Sequence, residues 1–138
     1  MTRVVLVDDS RLQREGWRLV LGAQPDVEVV GEAGDGAQAL GLLRRTAADV
    51  VLMDIQMPRV NGITATGRIL ADETVRELGA PRILLLATVD LDDHLPAAAM
   101  AGAYAVLWKD AEPEALLDTI REAAAAAAPI VDRAIRRD

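Results

Sequence analysis

Five short, almost purely apolar runs alternate along the chain with longer amphipathic stretches, and this alternation restricts the fold more than any other feature. Each run has the length and the Val, Ile and Leu content of a strand buried on both faces. Five strands, each followed by a helix, require parallel pairing with right-handed crossovers. The sequence therefore predicts a doubly wound α/β fold. The predicted strands are 3–7, 27–31, 49–53, 82–87 and 104–108.

The amphipathic stretches predict five helices, whose ends are marked by caps and breakers. Ser10 and Asp35 are candidate caps of the first two helices. Pro96 lies in the fourth stretch and is tolerated only in a first turn, so we expect that helix to begin late, near Leu95. The predicted helices are 10–23, 35–45, 63–78, 91–102 and 112–128.

The length of the chain, 138 residues, fits one domain, which we expect to span 1–128. The remaining residues, 129–138, follow a run of six alanines and Pro129, and they resemble a linker or the start of a connection to another domain. The first ten residues enter a strand directly, without the pattern of a signal peptide, and no apolar run approaches the length of a membrane span.

Composition excludes several kinds of site. The chain has no cysteine and one histidine, which rules out disulfides and clusters of thiolate or imidazole metal ligands. A formal net charge of −7 disfavours binding of nucleic acid through the general field of the protein. A cysteine-free chain is compatible with a reducing compartment, and we expect the cytoplasm.

Charged side chains follow three of the predicted strands at their carboxyl ends. Asp8 and Asp9 follow the first strand, Asp54 follows the third, and Lys109 follows the fifth. Sheets of this kind bind ligands beyond the carboxyl ends of their strands. Each acid alone could simply cap a helix, but three acids and a lysine at one edge favour a site. Three close carboxylates require a cation, and oxygen ligands favour Mg²⁺ over Zn²⁺.

Four segments carry a family resemblance: "LVDDS", "VVLMDIQMPRVNG", "AGAYAVLWKD" and "AEPEALLDTI". Together they resemble the receiver domain of two-component response regulators, most closely the NarL/FixJ class, whose full-length members append a DNA-binding helix-turn-helix. The resemblance covers about residues 2–128. It implies a flavodoxin-like (βα)5 fold with strand order 2-1-3-4-5.

The resemblance also implies roles for individual residues. Asp54 would accept a phosphoryl group from a histidine kinase or a small donor such as acetyl phosphate. Asp9 would bind Mg²⁺ or Mn²⁺ directly, with Asp8 assisting, and the backbone carbonyl of Gln56 would complete the protein ligands. Lys109 would contact the phosphoryl oxygens. Such a domain is not a conventional enzyme, although it can promote its own phosphorylation and dephosphorylation.

Partners follow from the same resemblance. We expect a sensor histidine kinase as the phosphate source and control of transcription as the output. A homodimer could form through the face of the fourth helix, fifth strand and fifth helix, or through the first and fifth helices. DNA binding would require a C-terminal domain that these 138 residues do not include, and no membrane partner is expected.

Two positions depart from the family pattern. A receiver usually has a hydroxyl residue at the end of the fourth strand, but counting back from Lys109 places Ala87 there and Thr88 one residue late. The aromatic position of the fifth strand falls on Val106, with Tyr104 two residues earlier and expected on the same face. Either a bulge returns Thr88 to the pocket, or the usual hydroxyl–aromatic relay is missing.

These departures leave alternatives to a phosphate-driven signalling domain. The chain could be a receiver-like interaction scaffold that works without phosphorylation. A third reading is a Mg²⁺-dependent phosphatase with an aspartyl intermediate. The sequence disfavours it, because haloacid-dehalogenase phosphatases carry a second acid two residues after the nucleophile, where this chain has Gln56.

Overall fold

A computed structural model describes residues 1–126 and the backbone of a short strand at 134–135. The predicted linker, 129–138, and the last residues of the predicted fifth helix therefore lie outside the described residues, apart from that strand. In the described part of the chain, strands and helices alternate as the sequence predicts.

One parallel sheet forms the centre of the domain, with strand order β2-β1-β3-β4-β5-β6. The predicted order 2-1-3-4-5 is confirmed. The two-residue strand β6 was not predicted, and it extends the sheet by pairing with β5. The strands are β1 (Thr2–Val7), β2 (Val27–Ala33), β3 (Val50–Asp54), β4 (Arg82–Ala87), β5 (Ala105–Trp108) and β6 (Ala134–Ile135).

Helices cover both faces of the sheet, as the continuous apolar strands require. Residues of α1 and α6 pack on one face, and residues of α2 to α5 pack on the other. Side chains of β3 alternate between the two cores, with Leu52 in one and Met53 in the other, and all five residues of this strand are buried. The helices are α1 (Arg11–Gly22), α2 (Gly36–Leu43), α3 (Gly62–Ala71), α4 (Glu73–Leu78), α5 (Leu91–Ala101) and α6 (Pro113–Ala125).

The single helix predicted over 63–78 is wrong, because the chain breaks at Asp72. The backbone of Asp72 is extended, and its carboxylate accepts a hydrogen bond from the N–H of Val75 at 3.0 Å, which caps α4. Arg44, the residue that follows α2, also binds this carboxylate, at 2.6 Å. Asp72 thus ends one helix and begins the next, since a short acidic side chain competes with helical hydrogen bonds as a cap.

The late start predicted for the fourth helix is also wrong. Helix α5 begins at Leu91 and contains Pro96 in its interior, where the ring removes one backbone donor. Leu91 and Ala98, on either side of the proline, are buried in the core. Tertiary packing therefore holds this helix together against the local preference of its sequence.

The amino-terminal edge of the sheet is fixed by two arginines. Asp49 accepts hydrogen bonds from the backbone N–H of Arg3 at 2.8 Å and from its guanidinium at 3.4 Å. Arg82, the first residue of β4, donates to the carbonyl of Ala126 at 2.6 Å, which ties the residue after α6 to the sheet. In the described ranges, no helix combines the length and apolarity needed to cross a bilayer.

Candidate functional site

Three strand ends meet at the carboxyl edge of the sheet and bring four charged residues together. Asp8 follows β1, Asp54 ends β3, and Lys109 follows β5. Carboxylate oxygens of Asp8, Asp9 and Asp54 all lie within 4.8 Å of one another. The residues that the sequence assigned to one site from three separate segments therefore occupy one cluster.

Lys109 connects the two buried carboxylates of this cluster. Its Nζ lies 2.8 Å from Oδ2 of Asp8 and 3.0 Å from Oδ2 of Asp54. The backbone N–H of Lys109 donates to the carbonyl of Ala87 at 2.9 Å, so β4 fixes the point from which the side chain extends. One ammonium group thus partly neutralises two carboxylates that the strands hold in place.

The chain after Asp54 turns back tightly and shapes the site. The backbone N–H of Gln56 donates to Oδ1 of Asp54 at 3.1 Å. The N–H of Gly62 donates to the carbonyl of Ile55 at 2.8 Å, which closes the loop at the start of α3. A Cβ at Gly62 would lie 2.3 Å from the backbone oxygen of Asp54. Only glycine therefore allows α3 to begin this close to the end of β3.

The loop after β1 carries the third carboxylate. Oδ1 of Asp8 accepts the backbone N–H of Ser10 at 2.8 Å, and the hydroxyl of Ser10 caps α1 by accepting the N–H of Gln13 at 3.2 Å. Asp8 is buried, whereas Asp9 is exposed. The sequence left open whether these acids cap the helix or form a site; Ser10 provides the cap, and the acids face the cluster.

The cluster fits a hard divalent cation. Three carboxylates and one ammonium leave two negative charges uncompensated in a partly buried position. The ligand atoms that these three side chains offer are carboxylate oxygens, which are the donors that Mg²⁺ and Mn²⁺ prefer.

Burial and charge shift the protonation equilibria of the two groups that face each other. Burial raises the pKa of Asp54, and neighbouring Asp8 adds to this, although the hydrogen bond from Lys109 acts in the opposite direction. Burial alone would lower the pKa of Lys109, but its hydrogen bonds to Asp8 and Asp54 outweigh it and raise that pKa. Lys109 therefore stays charged, and ionised Asp54 is held in an unfavourable environment.

A cavity of about 390 Å³ opens beside the cluster. It is lined by Gln13 from α1, Thr88 after β4, and Lys109 and Asp110 after β5. This volume is ample for a phosphoryl group next to Asp54.

The structure distinguishes the two readings of Ala87 and Thr88. Pairing of β4 is regular as far as Leu86 with β3 and as far as Ala87 with β5, and the side chain of Ala87 is buried in the core with Val106. Thr88 reaches the cavity because the strand ends before it, and not through a bulge. Its hydroxyl lies 3.4 Å from Oε1 of Gln56, at the rim of the site.

The expectation that Tyr104 shares a face with Val106 is wrong. Tyr104 packs in the core beneath α1 and α6, whereas Val106 packs in the opposite core with Ala87. Strand β5 begins only at Ala105, so the alternation of side chains does not extend back to Tyr104. Val106 has no ring, and the ring of Tyr104 lies on the opposite face of the sheet from Ala87. Trp108, the register partner of Ala87, packs partly against the core that contains Ala87.

Sequence reasoning missed two contacts at the site. Gly62 ends one of the segments that carry the resemblance, but nothing in the sequence identifies it as the residue that must leave room for the backbone of Asp54. Arg14, one turn into α1, donates to the backbone carbonyl of Asp8 and was not considered. No sequence pattern indicates that a basic residue on a helix binds a backbone carbonyl in the loop before that helix.

Comparison with known proteins agrees with this geometry. Residues 4–121 match the model of the response regulator receiver domain. The chain is 45% identical over 122 residues to the uncharacterized transcriptional regulatory protein YxjL of Bacillus subtilis (strain 168), covering 88% of this chain and 54% of that protein. It is 40% identical over 123 residues to the transcriptional regulatory protein LiaR of the same strain, covering 89% and 56%.

A solved structure is similar throughout. The crystal structure of a LuxR-family two-component response regulator from Aurantimonas sp. SI85-9A1 superposes with a TM-score of 0.82 at 34% identity, covering 94% of this chain and 90% of that one. The chain spans about half the length of the curated relatives it matches. The two curated relatives are named as transcriptional regulatory proteins, and the solved structure as a LuxR-family response regulator. The chain belongs to the response regulator receiver domain family.

Proposed function

We propose that this receiver domain accepts a phosphoryl group on Asp54 and that the modified domain biases the activity of an attached or associated output. The observation that supports this most is the cluster itself: Asp54 ends a rigid, fully buried strand beside Asp8, and both carboxylates share Lys109. A nucleophile held by a strand is positioned better than one on a loop.

The chemical step needs positioning and charge neutralisation more than acid–base catalysis. A carboxylate oxygen of Asp54 forms a bond to phosphorus while the bond between phosphorus and the donor breaks, and the leaving group departs with that electron pair. Lys109, 3.0 Å from Asp54 in the unmodified domain, is in reach of the phosphoryl oxygens. Its raised pKa keeps it charged for that contact.

A divalent cation completes the proposed site. Asp9 and Asp54 are the proposed direct ligands, with Asp8 assisting and the backbone carbonyl of Gln56 as a further protein ligand. Bound Mg²⁺ would neutralise charge that develops on the transferring phosphoryl group. Without it, Asp8 and Asp9 would repel an incoming phosphate donor.

We propose a sensor histidine kinase as the donor and the cytoplasm as the setting. Relatives named as transcriptional regulators support an output in transcription, exerted by DNA-binding residues outside this chain. The scaffold alternative gains no support, because the acidic cluster and its lysine are complete. Ala87 and Val106 occupy the positions of the usual hydroxyl and aromatic residues, so we propose that the effect of phosphorylation is transmitted without that pair. Thr88, at the rim of the cavity, is the nearest hydroxyl residue at the end of β4.

The proposal is tested by incubating the domain with acetyl phosphate and Mg²⁺ and measuring its intact mass. The wild type should gain the mass of one phosphoryl group, and Asp54→Ala should gain none. Asp110→Ala is the matched control, since it removes a carboxylate that lines the same cavity outside the metal cluster. Equal labelling of the wild type and Asp54→Ala would refute Asp54 as the acceptor.

A further inference from the structure

Arg14 links helix α1 to the backbone at the metal cluster. Its guanidinium donates to the carbonyl oxygen of Asp8 through Nη1 and to Oε1 of Glu32 through Nε at 3.0 Å. Only 18% of the Arg14 side chain is exposed. Glu32 lies on β2, so the arginine joins α1 to that strand and to the loop that carries the acids.

Asp9 depends on its backbone for its position. Within residues 1–126, its side chain makes no hydrogen bond or ion pair, although it is a proposed cation ligand. The carbonyl that Arg14 binds belongs to the peptide joining Asp8 to Asp9. The N–H of Asp8 is bound to the carbonyl of Ala33 at 3.1 Å, and that of Ser10 to Asp8 Oδ1 at 2.8 Å. Arg14 fixes a further group of this segment, the carbonyl oxygen before Asp9.

The charge of Arg14 is partly offset where it lies. An unpaired guanidinium beside the acidic cluster would repel a divalent cation. Glu32 accepts from Arg14 and also from Arg18, whose Nη2 lies 2.5 Å from Oε2. These bonds outweigh the effect of burial and lower the pKa of Glu32, so the carboxylate remains ionised. The arrangement provides a rigid donor for the Asp8 carbonyl while Glu32 offsets its charge.

We propose that Arg14 is a positioning residue that orients Asp9 for cation binding, and that Glu32 holds Arg14 in place and offsets its charge. This inference rests on the proposed cation site. It predicts an effect opposite in sign to that of simple electrostatics. Loss of the Arg14 charge alone should strengthen Mg²⁺ binding, whereas loss of its hold on the Asp8 carbonyl should weaken it.

The experiment compares Arg14→Met with Arg18→Met by calorimetric titration with Mg²⁺. Arg18 has the same charge and the same Glu32 partner, and its contacts within the described ranges do not include the Asp8 carbonyl. Loss of an outer partner of a metal ligand typically weakens binding, so we expect about a tenfold loss for Arg14→Met and less than about a twofold change for Arg18→Met. The backbone amide resonance of Asp9 should shift in the cation-free Arg14 variant and not in the Arg18 variant.

A second variant covers the case in which Arg14→Met fails to fold. Arg14→Lys keeps the charge, but an ammonium cannot reproduce the two contacts of the guanidinium fork, so Mg²⁺ binding should again weaken. Saturating Mg²⁺ should restore the rate of labelling by acetyl phosphate in either variant, because the defect lies in holding the cation. Wild-type affinity in both Arg14 variants, or tighter binding in Arg14→Met, would overturn this inference alone. A wild type that binds no Mg²⁺ would overturn the proposed cation site as well.

Discussion

At its carboxyl edge the sheet buries Asp8 and Asp54 around one shared lysine, whereas at its amino edge Asp49 pairs with Arg3 close to solvent. Side chains of the first pair of acids are 3% and 5% exposed, and that of Asp49 is 34% exposed. Burial raises the pKa of Asp54 despite Lys109. Burial acts in the same direction on Asp49, but the backbone N–H and guanidinium of Arg3 outweigh it and lower that pKa.

The two edges therefore have opposite effects on folding. An acid whose pKa falls on folding stabilises the native state when it is ionised, and an acid whose pKa rises destabilises it. Ionised Asp49 contributes to stability, while ionised Asp54 reduces it. Acids that reduce stability at the carboxyl ends of parallel strands are expected of a binding site. The four predictions below test the difference between the carboxyl and amino edges of the sheet.

The largest effect is expected from Gly62→Ala. The new methyl group would meet the backbone oxygen of Asp54 at 2.3 Å, and backbone cannot move aside as a flexible side chain can. We expect a loss of about 3 kcal/mol in the free energy of unfolding, at the upper end for overpacking. Gly67→Ala in the same helix is the control, since its Cβ meets nothing within 4 Å and should stabilise the domain by about 0.5 kcal/mol. Similar denaturation midpoints for the two variants would show that the backbone around Gly62 can move enough to accommodate the methyl group.

The next largest difference in stability is expected when one basic side chain is removed at each edge of the sheet. Lys109→Met leaves two buried carboxylates without their partner and should cost about 2 kcal/mol at pH 7, somewhat less than a fully buried pair because part of Lys109 is exposed. Arg3→Met breaks an exposed pair and should cost about 0.5 kcal/mol. Urea denaturation in the absence of divalent cations measures both. Equal losses would contradict the contrast between the edges.

Asp54→Asn should stabilise the domain at pH 7, with a gain on the order of 1 kcal/mol, the usual size for relieving an unfavourable group at a functional site. Because folding raises the pKa of Asp54, its ionisation removes stability as the pH rises through the folded value. The gain should therefore shrink as the pH falls below that value. Thermal unfolding of both proteins across this range provides the measurement, and a variant less stable than the wild type at pH 7 would contradict the sign.

The smallest effect, of opposite sign, is expected from Asp49→Asn. Folding lowers the pKa of Asp49, so its stabilisation is present above the unfolded pKa and is lost as the pH falls through the folded one. We expect a loss of about 0.5 kcal/mol at pH 7, discounted because the pair is partly exposed. The loss should vanish in acid. A gain in stability at pH 7 would mean that both edges hold their acids in the same way.

The sequence predicted the parts of the molecule that follow from the periodicity of its apolar residues and from the position of its charged residues at the ends of apolar runs. Continuous apolar runs require a sheet covered on both faces, and acids at the ends of such runs must meet at one edge. Asp8, Asp54 and Lys109 could be assigned to one cluster for this reason alone. Their chemical roles came from the family resemblance and await the labelling experiment.

The sequence did not predict features that depend on tertiary packing or on a single strand boundary. Asp72 reads as one more polar residue on a helix until Arg44 binds it and it caps α4. Pro96 reads as a helix start, but buried neighbours carry α5 through it. Tyr104 was assigned to the wrong face because β5 begins one residue later than its apolar run. Arg14 has no partner nearby in sequence except the carbonyl of Asp8, and a backbone acceptor leaves no mark in a sequence.

Arg82 anchors the carbonyl of Ala126 at the start of β4, whereas Asp54 lies at the far end of the neighbouring strand. A six-residue strand separates the two levels by roughly 20 Å. The next described segment, β6, lies closer to the carboxyl edge, because it pairs with Val106 and Leu107 of β5. Its pairing with Leu107 places β6 two residues along β5 from Lys109, so a change at the acidic cluster would reach this strand through β5 without crossing the sheet from one edge to the other.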